Sequence, residues 1–365
     1  MTGGHEDVGL PGDVPERSPV DPGDRVLVTG AAGFIGSSVA RELSARGAHV
    51  VAMVEPGGDI ANLAGLEVEI VRGDLRDAEA VGKAVDGCRL VFHVAALYRF
   101  WAPDPADFYA VNVVGTRHVL EAVRRNDCER LVYTSTVGTL GVHGASASDP
   151  VDETSFAHID HLFGEYKRSK YVAEHEVLRA AGEGLPVVIV QPTTPVGPRD
   201  RAPTPTGRTV LEFLNGRFPG FVDTTLNIVD VEDVAHGHVL AAERGRTGRS
   251  YILGGENLSL GEVLATLAEV TGLTAPTRQF PGRVALVAAH LSGLVEGRLL
   301  RREPTIPLEA AKMSTTHMSF SDQRARTELG YSSRPAAAAL GRAAHWFVDE
   351  GYVRPGRVSR MVWAD

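Results

Sequence analysis

The sequence is short of several things. Only two cysteines occur in 365 residues, Cys88 and Cys128. Neither belongs to a CxxC pair, so a disulfide framework and a thiolate metal or redox motif are excluded, and a reducing cytoplasm is the expected compartment. No run reaches about 18 consecutive apolar residues, the length that a membrane-spanning helix needs. The nearest, VALVAAHLSGLV (Val284–Val295), is expected as a buried helix, although the basic GRLLRR that follows leaves peripheral contact with an anionic membrane open. Positive charge is also scarce. With 37 Lys and Arg against 46 Asp and Glu, the net charge of -9 argues against nucleic acid as a bulk partner. Metal ligation has little support. His158, Asp160 and His161 cluster in AHIDH, and His236 and His238 are two apart and so face different sides of a helix. Solvated or hydrogen-bonded histidines are expected there, and no metal. Residues 1–23 hold Gly, Pro and Asp without an apolar run; they read as a flexible extension and lack a signal-peptide pattern.

What is present has a strong rhythm. Short apolar runs alternate with helical patterns from residue 24 to 192: RVLVTG, HVVAMV, LEVEIVRGD, LVFHVAA, RLVYTST and LPVVIVQP are expected strands. FIGSSVARELSAR, AEAVGKAVDG, a long DFYAVNVVGTRHVLEAVRR and GEYKRSKYVAEHEVLRAAG are the helices between them. Continuously apolar strands separated by helices imply an α/β fold: a Rossmann-type, doubly wound parallel sheet covered on both faces. Beyond Pro192 the pattern loosens. Two stretches, Leu226–Ala241 and Ser250–Gly255, look sheet-bound and are expected to return to the nucleotide domain. The rest of 193–350 reads as an interleaved, mostly helical substrate-binding lobe, and 351–365 as a tail.

TGAAGFIG spaces Gly30, Gly33 and Gly36 directly after a strand and at the start of a helix, which is the context that makes a glycine pattern informative. Gly30 suits the tight turn, Gly33 the close approach of a pyrophosphate, and Gly36 the packing of helix on sheet. The N–H groups of Phe34 and Ile35 are then placed to meet phosphate at a helix N-terminus. Glu55, at the end of the second strand, can accept from the adenosine ribose, and Pro56–Asp59 carry no Arg or Lys for a 2′-phosphate. NAD is therefore expected over NADP. Asp74 and Leu75 are placed near adenine, with capping of the next helix as the other role for Asp74.

In GEYKRSKYVAE, Tyr166 and Lys170 lie one helical turn apart on one face. Thr136 follows the strand RLVYTST, whose carboxyl end faces the ligand crevice of a parallel sheet. A free tyrosine ionises near pH 10, too high for proton transfer at neutrality, and a neighbouring ammonium favours its phenolate. The three groups therefore read as proton donor or acceptor, electrostatic helper and orienting hydroxyl.

TGAAGFIG, GDL, NVVGT at Asn112–Thr116, TST, YKRSK and QPTTPVGP occur in the order of the extended short-chain dehydrogenases/reductases, the NAD-dependent epimerase/dehydratase group, which the chain resembles over about residues 25–350. Within it, FHVAALYRFWAPDP, GEYKRSKYVAE, TTPVGPRDRAPTPTGR and SYILGGENLSL resemble the hopanoid-associated sugar epimerase family. The resemblance implies Thr136, Tyr166 and Lys170 as catalytic residues, with Ser135 as the other candidate hydroxyl. It also implies cofactor contacts at Val94, Ala95, Ala96, Asn112, Thr134, Pro192 and Thr193 beside those above, and a homodimer. Glu55 stands where such sequences often carry Arg, so cofactor preference does not transfer. Substrate contacts are expected from Tyr98, Trp101, Thr136, Thr194 and Arg199, with Arg99, Arg201 and Arg208 as candidates for a diphosphate. Sugar epimerisation through a keto intermediate, and ketone or aldehyde reduction as in the similar dihydroflavonol reductases, both fit. Dehydration does not, because Val137 and Gly138 stand where the dehydratases carry an Asp–Glu pair. A non-catalytic dinucleotide sensor is disfavoured by the intact Tyr–Lys pair.

Overall fold

A computed structural model describes residues 19–363, apart from 100–101, 143–148, 156, 313–315 and most of 284–310. Seven parallel strands form the main sheet: β1 (Arg25–Thr29), β2 (His49–Val54), β3 (Glu69–Arg72), β4 (Leu90–His93), β5 (Arg130–Thr134), β6 (Val187–Pro192) and β10 (Ser250–Leu253). Their order is β10-β6-β5-β4-β1-β2-β3. Strand order reverses between β1 and β4, which opens a crevice at the carboxyl ends of the strands. β1, β4, β5 and β6 are almost wholly buried, which is why they read as unbroken apolar runs and not as alternations.

Helices cover both faces. On one, α1 (Phe34–Ala45) packs with α7 (Val231–Arg244) over Val28, Val50 and Val132. On the other, α2 (Ala78–Val85), α4 (Gly115–Arg125) and α5 (Glu165–Gly182) pack over Leu27, Val91, Leu131 and Ile189. The segment expected as one long helix runs from α3 (Ala106–Tyr109) through a π-turn (Ala110–Val114) into α4. Such turns commonly mark functional sites, and this one faces the crevice through Val111.

The second lobe carries its own core. α6 (Pro205–Leu214), α8 (Leu260–Thr271) and α9 (Ala336–Asp349) enclose Phe213, Leu264, Leu340 and Phe347. A small sheet of β11 (Glu256–Ser259), β9 (Thr225–Asp230) and β7 (Thr194–Val196) connects the lobes. Two further short strands, β8 (Phe221–Val222) and β12 (Gln279–Phe280), pair beside it.

The structure corrects several expectations. Of the two sheet-bound stretches, only Ser250–Leu253 joins the main sheet. Leu226–Asp230 belongs to the small sheet, and Val231–Ala241 is helical. Val20, inside the stretch expected to be flexible, is buried in the main core, and its N–H donates to Glu243 at 3.1 Å. The expected tail packs too: Val353 is buried, and Trp363 stacks on His345 with ring centroids 3.5 Å apart. Both misreadings share one cause, since short polar terminal segments gain order only through partners far away in sequence. Val284–Val295 lies mostly outside the described residues. Among the described residues no helix is long and apolar enough to cross a membrane.

Candidate active site

One cleft of about 2250 Å³ runs along the carboxyl ends of the strands and on between the two lobes. Drug-sized ligands fill roughly 300–1,000 Å³, so it has room for a dinucleotide and a second molecule. Its floor begins at the glycine turn. Gly30 has a φ of +65°, and a Cβ there would stand 2.7 Å from the Cα of Ala95. A Cβ on Gly36 would meet the carbonyl oxygen of Gly30 at 2.1 Å. These two glycines are therefore demanded by the turn's own packing. The N-cap Gly33 supplies no side-chain cap to α1, so the first amides of the helix, those of Phe34 and Ile35, are presented to the cleft. This cradle fits the pyrophosphate of a dinucleotide.

Glu55, Asp74, Leu75, Val94, Ala95, Ala96, Thr134, Pro192 and Thr193 all line the same cleft. Asn112 does not. It is buried, accepts from the Leu97 N–H at 2.8 Å, and donates to the Leu97 carbonyl at 3.3 Å and to Ser169 Oγ at 2.9 Å. Its amide holds the backbone of Leu97, the residue that follows Ala95 and Ala96. Asp74 does not cap α2; Asp77 does, accepting from the Glu79 and Ala80 amides. Asp74 instead binds Arg76 at 2.6 Å.

The neighbourhood of Glu55 is less purely acidic than its own segment reads. Arg72, at the end of β3, donates to the carbonyls of Glu55 at 3.4 Å and Gly58 at 3.3 Å, and Arg76 lines the cleft beside Asp74. Strand pairing brings in cations that stand seventeen or more positions away in the chain.

Tyr166 and Lys170 project from the first turns of α5 into the cleft. Tyr166 packs against Tyr98, with ring centroids 4.8 Å apart. Lys170 is buried; its Nζ donates to the Thr134 carbonyl at 2.7 Å and lies 4.3 Å from the centre of the Tyr133 ring. Burial pulls its pKa down to about 7, against a smaller upward pull from Glu174. This has a consequence for stability. The unfolded chain keeps its lysine proton to about pH 10.4, so between pH 7 and that value it binds more protons than the fold, and stability rises with pH across that window. Below pH 7 the whole cost of burying the ammonium is present. Lys170→Met should therefore be more stable than the wild type at pH 6, by roughly 1–3 kcal/mol after the loss of the bond to Thr134. The gap should narrow toward pH 10. Thermal melts across that range check it, and a methionine variant less stable at pH 6 would contradict it.

Thr136 lies just past the end of β5, its backbone still extended, and its Oγ1 accepts from the Gly138 amide at 3.1 Å. A hydroxyl that accepts there keeps its own hydrogen for a partner in the cleft. Ser135, the other candidate, donates to the buried carboxylate of Glu174. Thr194 and Arg199 also line the cleft, with Arg199 in a positive-φ conformation and paired to Glu232 at 2.8 Å. Tyr98 is well exposed at the rim. Trp101 lies outside the described residues.

One supporting residue, His93, carried no signal in the sequence. His93 bridges Thr29 Oγ1 at 2.8 Å and Thr116 Oγ1 at 3.0 Å. Burial lowers its pKa to about 3, so it is neutral, and Thr29 in turn accepts from the Ala95 amide. His238 contacts Thr134 Oγ1 at 2.9 Å, and His236 contacts Glu42 at 3.0 Å. Neighbouring carboxylates, hydroxyls and carbonyls thus engage these histidines. Cys88 and Cys128 are free, buried thiols raised to about 11 by burial.

The model of the NAD dependent epimerase/dehydratase family matches residues 26–254. The chain belongs to that family. Its curated relatives in the family include a protein of Synechocystis sp. named for dihydroflavonol 4-reductase, 42% identical over 91% of this chain and 96% of its own length. Sterol demethylase protein B of Methylococcus capsulatus is 35% identical over 90% of this chain and 99% of its own. Among solved structures, a nucleoside-diphosphate-sugar epimerase from Pseudomonas aeruginosa is 27% identical with a TM-score of 0.75, covering 91% of this chain and 99% of its own.

Proposed function

We propose that this protein is an oxidoreductase that interconverts a secondary alcohol and its ketone, with Tyr166, Lys170 and Thr136 as its catalytic residues and NAD as its cofactor. The observation that carries the reading is the convergence of those three side chains on the cleft that the glycine turn opens. The dinucleotide, when bound, supplies the hydride acceptor and donor. Gly30, Gly33 and the amides of Phe34 and Ile35 would hold its pyrophosphate, Glu55 the adenosine ribose, and Lys170 the ribose nearer the reacting end. Tyr166 then gives or takes the proton at the substrate oxygen, and the Thr136 hydroxyl donates to that same oxygen and orients it. Lys170 in its ammonium form favours the Tyr166 phenolate.

The first reading of the substrate is a sugar or related alcohol that is epimerised by oxidation and re-reduction at one carbon. Ketone reduction is the second, and one observation favours it. Three of the arginines along the cleft already have carboxylate partners: Arg199 with Glu232 at 2.8 Å, Arg201 with Glu350 at 3.0 Å and Arg217 with Glu212 at 3.0 Å. A diphosphate would have to compete with each. Mass spectrometry of the protein as purified separates the readings. Epimerisation is expected to retain NAD through purification and to convert UDP-glucose without added cofactor. Reduction is expected to yield empty protein that consumes NADH with a ketone such as dihydroquercetin. Protein that binds neither NAD(H) nor NADP(H) would remove both.

A further inference from the structure

Tyr166 and Lys170 share their helix face with a third residue. Glu174 follows Lys170 at the same four-residue interval, one turn deeper along α5, and it too is buried. A buried carboxylate is expensive unless hydrogen-bonded, and this one is satisfied from three directions. Ser135 Oγ donates to Oε2; Thr139 Oγ1 donates to the same oxygen at 3.0 Å; Gln191 Nε2 donates to Oε1 at 3.1 Å. Ser135 and Thr139 are the residues that bracket Thr136 in the turn after β5. The Thr139 amide donates to the Thr136 carbonyl at 3.2 Å, and the single hydroxyl hydrogen of Thr139 is shared between that carbonyl, 2.8 Å away, and Glu174. The turn is tied a second time to the same helix through Lys170 and the Thr134 carbonyl. One helix face thus carries the proton-transfer residue at its cleft end and, two turns on, the anchor for the turn that bears the orienting hydroxyl.

We propose that Glu174 is a positioning residue of this active site: its carboxylate fixes the Ser135–Thr139 turn so that the Thr136 hydroxyl meets the same substrate oxygen as Tyr166. The assignment rests on the reading of Thr136 and Tyr166 given above. It requires no proton to leave Glu174. What it requires is a fixed distance between α5 and the strand-end turn, which a shorter or apolar side chain cannot hold.

The residue that separates geometry from charge is glutamine. In Glu174→Gln the amide oxygen can accept from Ser135 and Thr139. Its new N–H₂ would face Gln191, whose own Oε1 is buried without a partner and can accept after an amide flip. Glu174→Gln should therefore keep kcat within roughly threefold of wild type, the weight of about half a kilocalorie in one hydrogen bond. Glu174→Ala should lose kcat by about 30-fold or more while NADH affinity stays near wild type, because misplacing an orienting group falls on the transition state. The deciding measurement is a double-mutant cycle with Thr136→Ala, assayed with dihydroquercetin and NADH or with UDP-glucose, whichever the wild type converts. If Glu174 acts through Thr136, removing it costs little more once Thr136 is alanine. Losses that multiply overturn the inference and leave the catalytic reading standing. A Thr136→Ala enzyme with full activity overturns the catalytic reading itself. A crystal structure of Glu174→Ala gives a test that needs no substrate: the 134–139 turn should be displaced, and an undisturbed turn overturns the inference. Should Glu174→Ala fail to fold, Glu174→Asp, which keeps the charge and shortens the reach, takes its place in both measurements.

Discussion

Tyr166→Phe is expected to lose about 10³-fold in kcat, within the 10²–10⁴ that a positioned proton donor contributes, and to keep its affinity for NADH within roughly threefold, the weight of a single hydrogen bond. The substitution is clean because the ring does the packing. Tyr166 lies against Tyr98 with centroids 4.8 Å apart, a contact that phenylalanine keeps. Its helix is held elsewhere, by Lys170 on the Thr134 carbonyl and by Glu174 on Ser135 and Thr139. The loss should also be of one kind. A group that acts only on the reacting oxygen lowers kcat and kcat/KM together, whereas one that merely shaped the cleft would raise KM. Turnover by Tyr166→Phe at the wild-type rate, in a protein that binds NADH normally, would remove Tyr166 from the chemistry.

The parts of this molecule that could be read in advance are those in which one segment decides its own fate. β1, β4, β5 and β6 are buried on both faces, so their apolar runs state their position directly. The glycine turn is similar: Gly36 packs on Gly30, six residues away, and both conflicts that forbid a side chain involve the Gly30 backbone or its neighbour across the sheet. Tyr166 and Lys170 are legible because helical spacing alone puts them on one face. Glu174 was on that face as well, but it looks like any polar residue of a surface helix until Ser135, Thr139 and Gln191 arrive from two other strand ends to bury it. Asn112 is the opposite case. Its motif is recognisable, yet its amide is consumed by Leu97 and Ser169. Polar residues reveal their partners only once the sheet order has brought distant segments together.

Glu55→Arg carries the second large expectation, and the fold sharpens its basis. Read along the chain, Glu55 stood alone among Pro, Gly and Asp. In the fold it shares its corner with Arg72, Arg76 and Asp74. The two guanidinium groups do not await a phosphate, because Arg72 ties down the carbonyls of Glu55 and Gly58 while Arg76 is held by Asp74, which raises the Arg76 pKa and lowers that of Asp74. The corner is therefore balanced in charge, and on the function proposed above Glu55 would accept from the ribose hydroxyls. A 2′-phosphate would meet that carboxylate first. Replacing it with arginine removes the repulsion and adds a donor suited to phosphate, with Arg76 already alongside. At about 1.5–3 kcal/mol for a charge-assisted hydrogen bond, the ratio of NADPH to NADH affinity should rise by roughly 10- to 150-fold. Nicotinamide fluorescence titrations of both reduced cofactors give this ratio without knowledge of the substrate. The rise should shrink in high salt, since the corner is exposed enough for ions to screen it. An unchanged ratio would mean that Glu55 turns away from the ribose and that Arg72 and Arg76 alone set the preference.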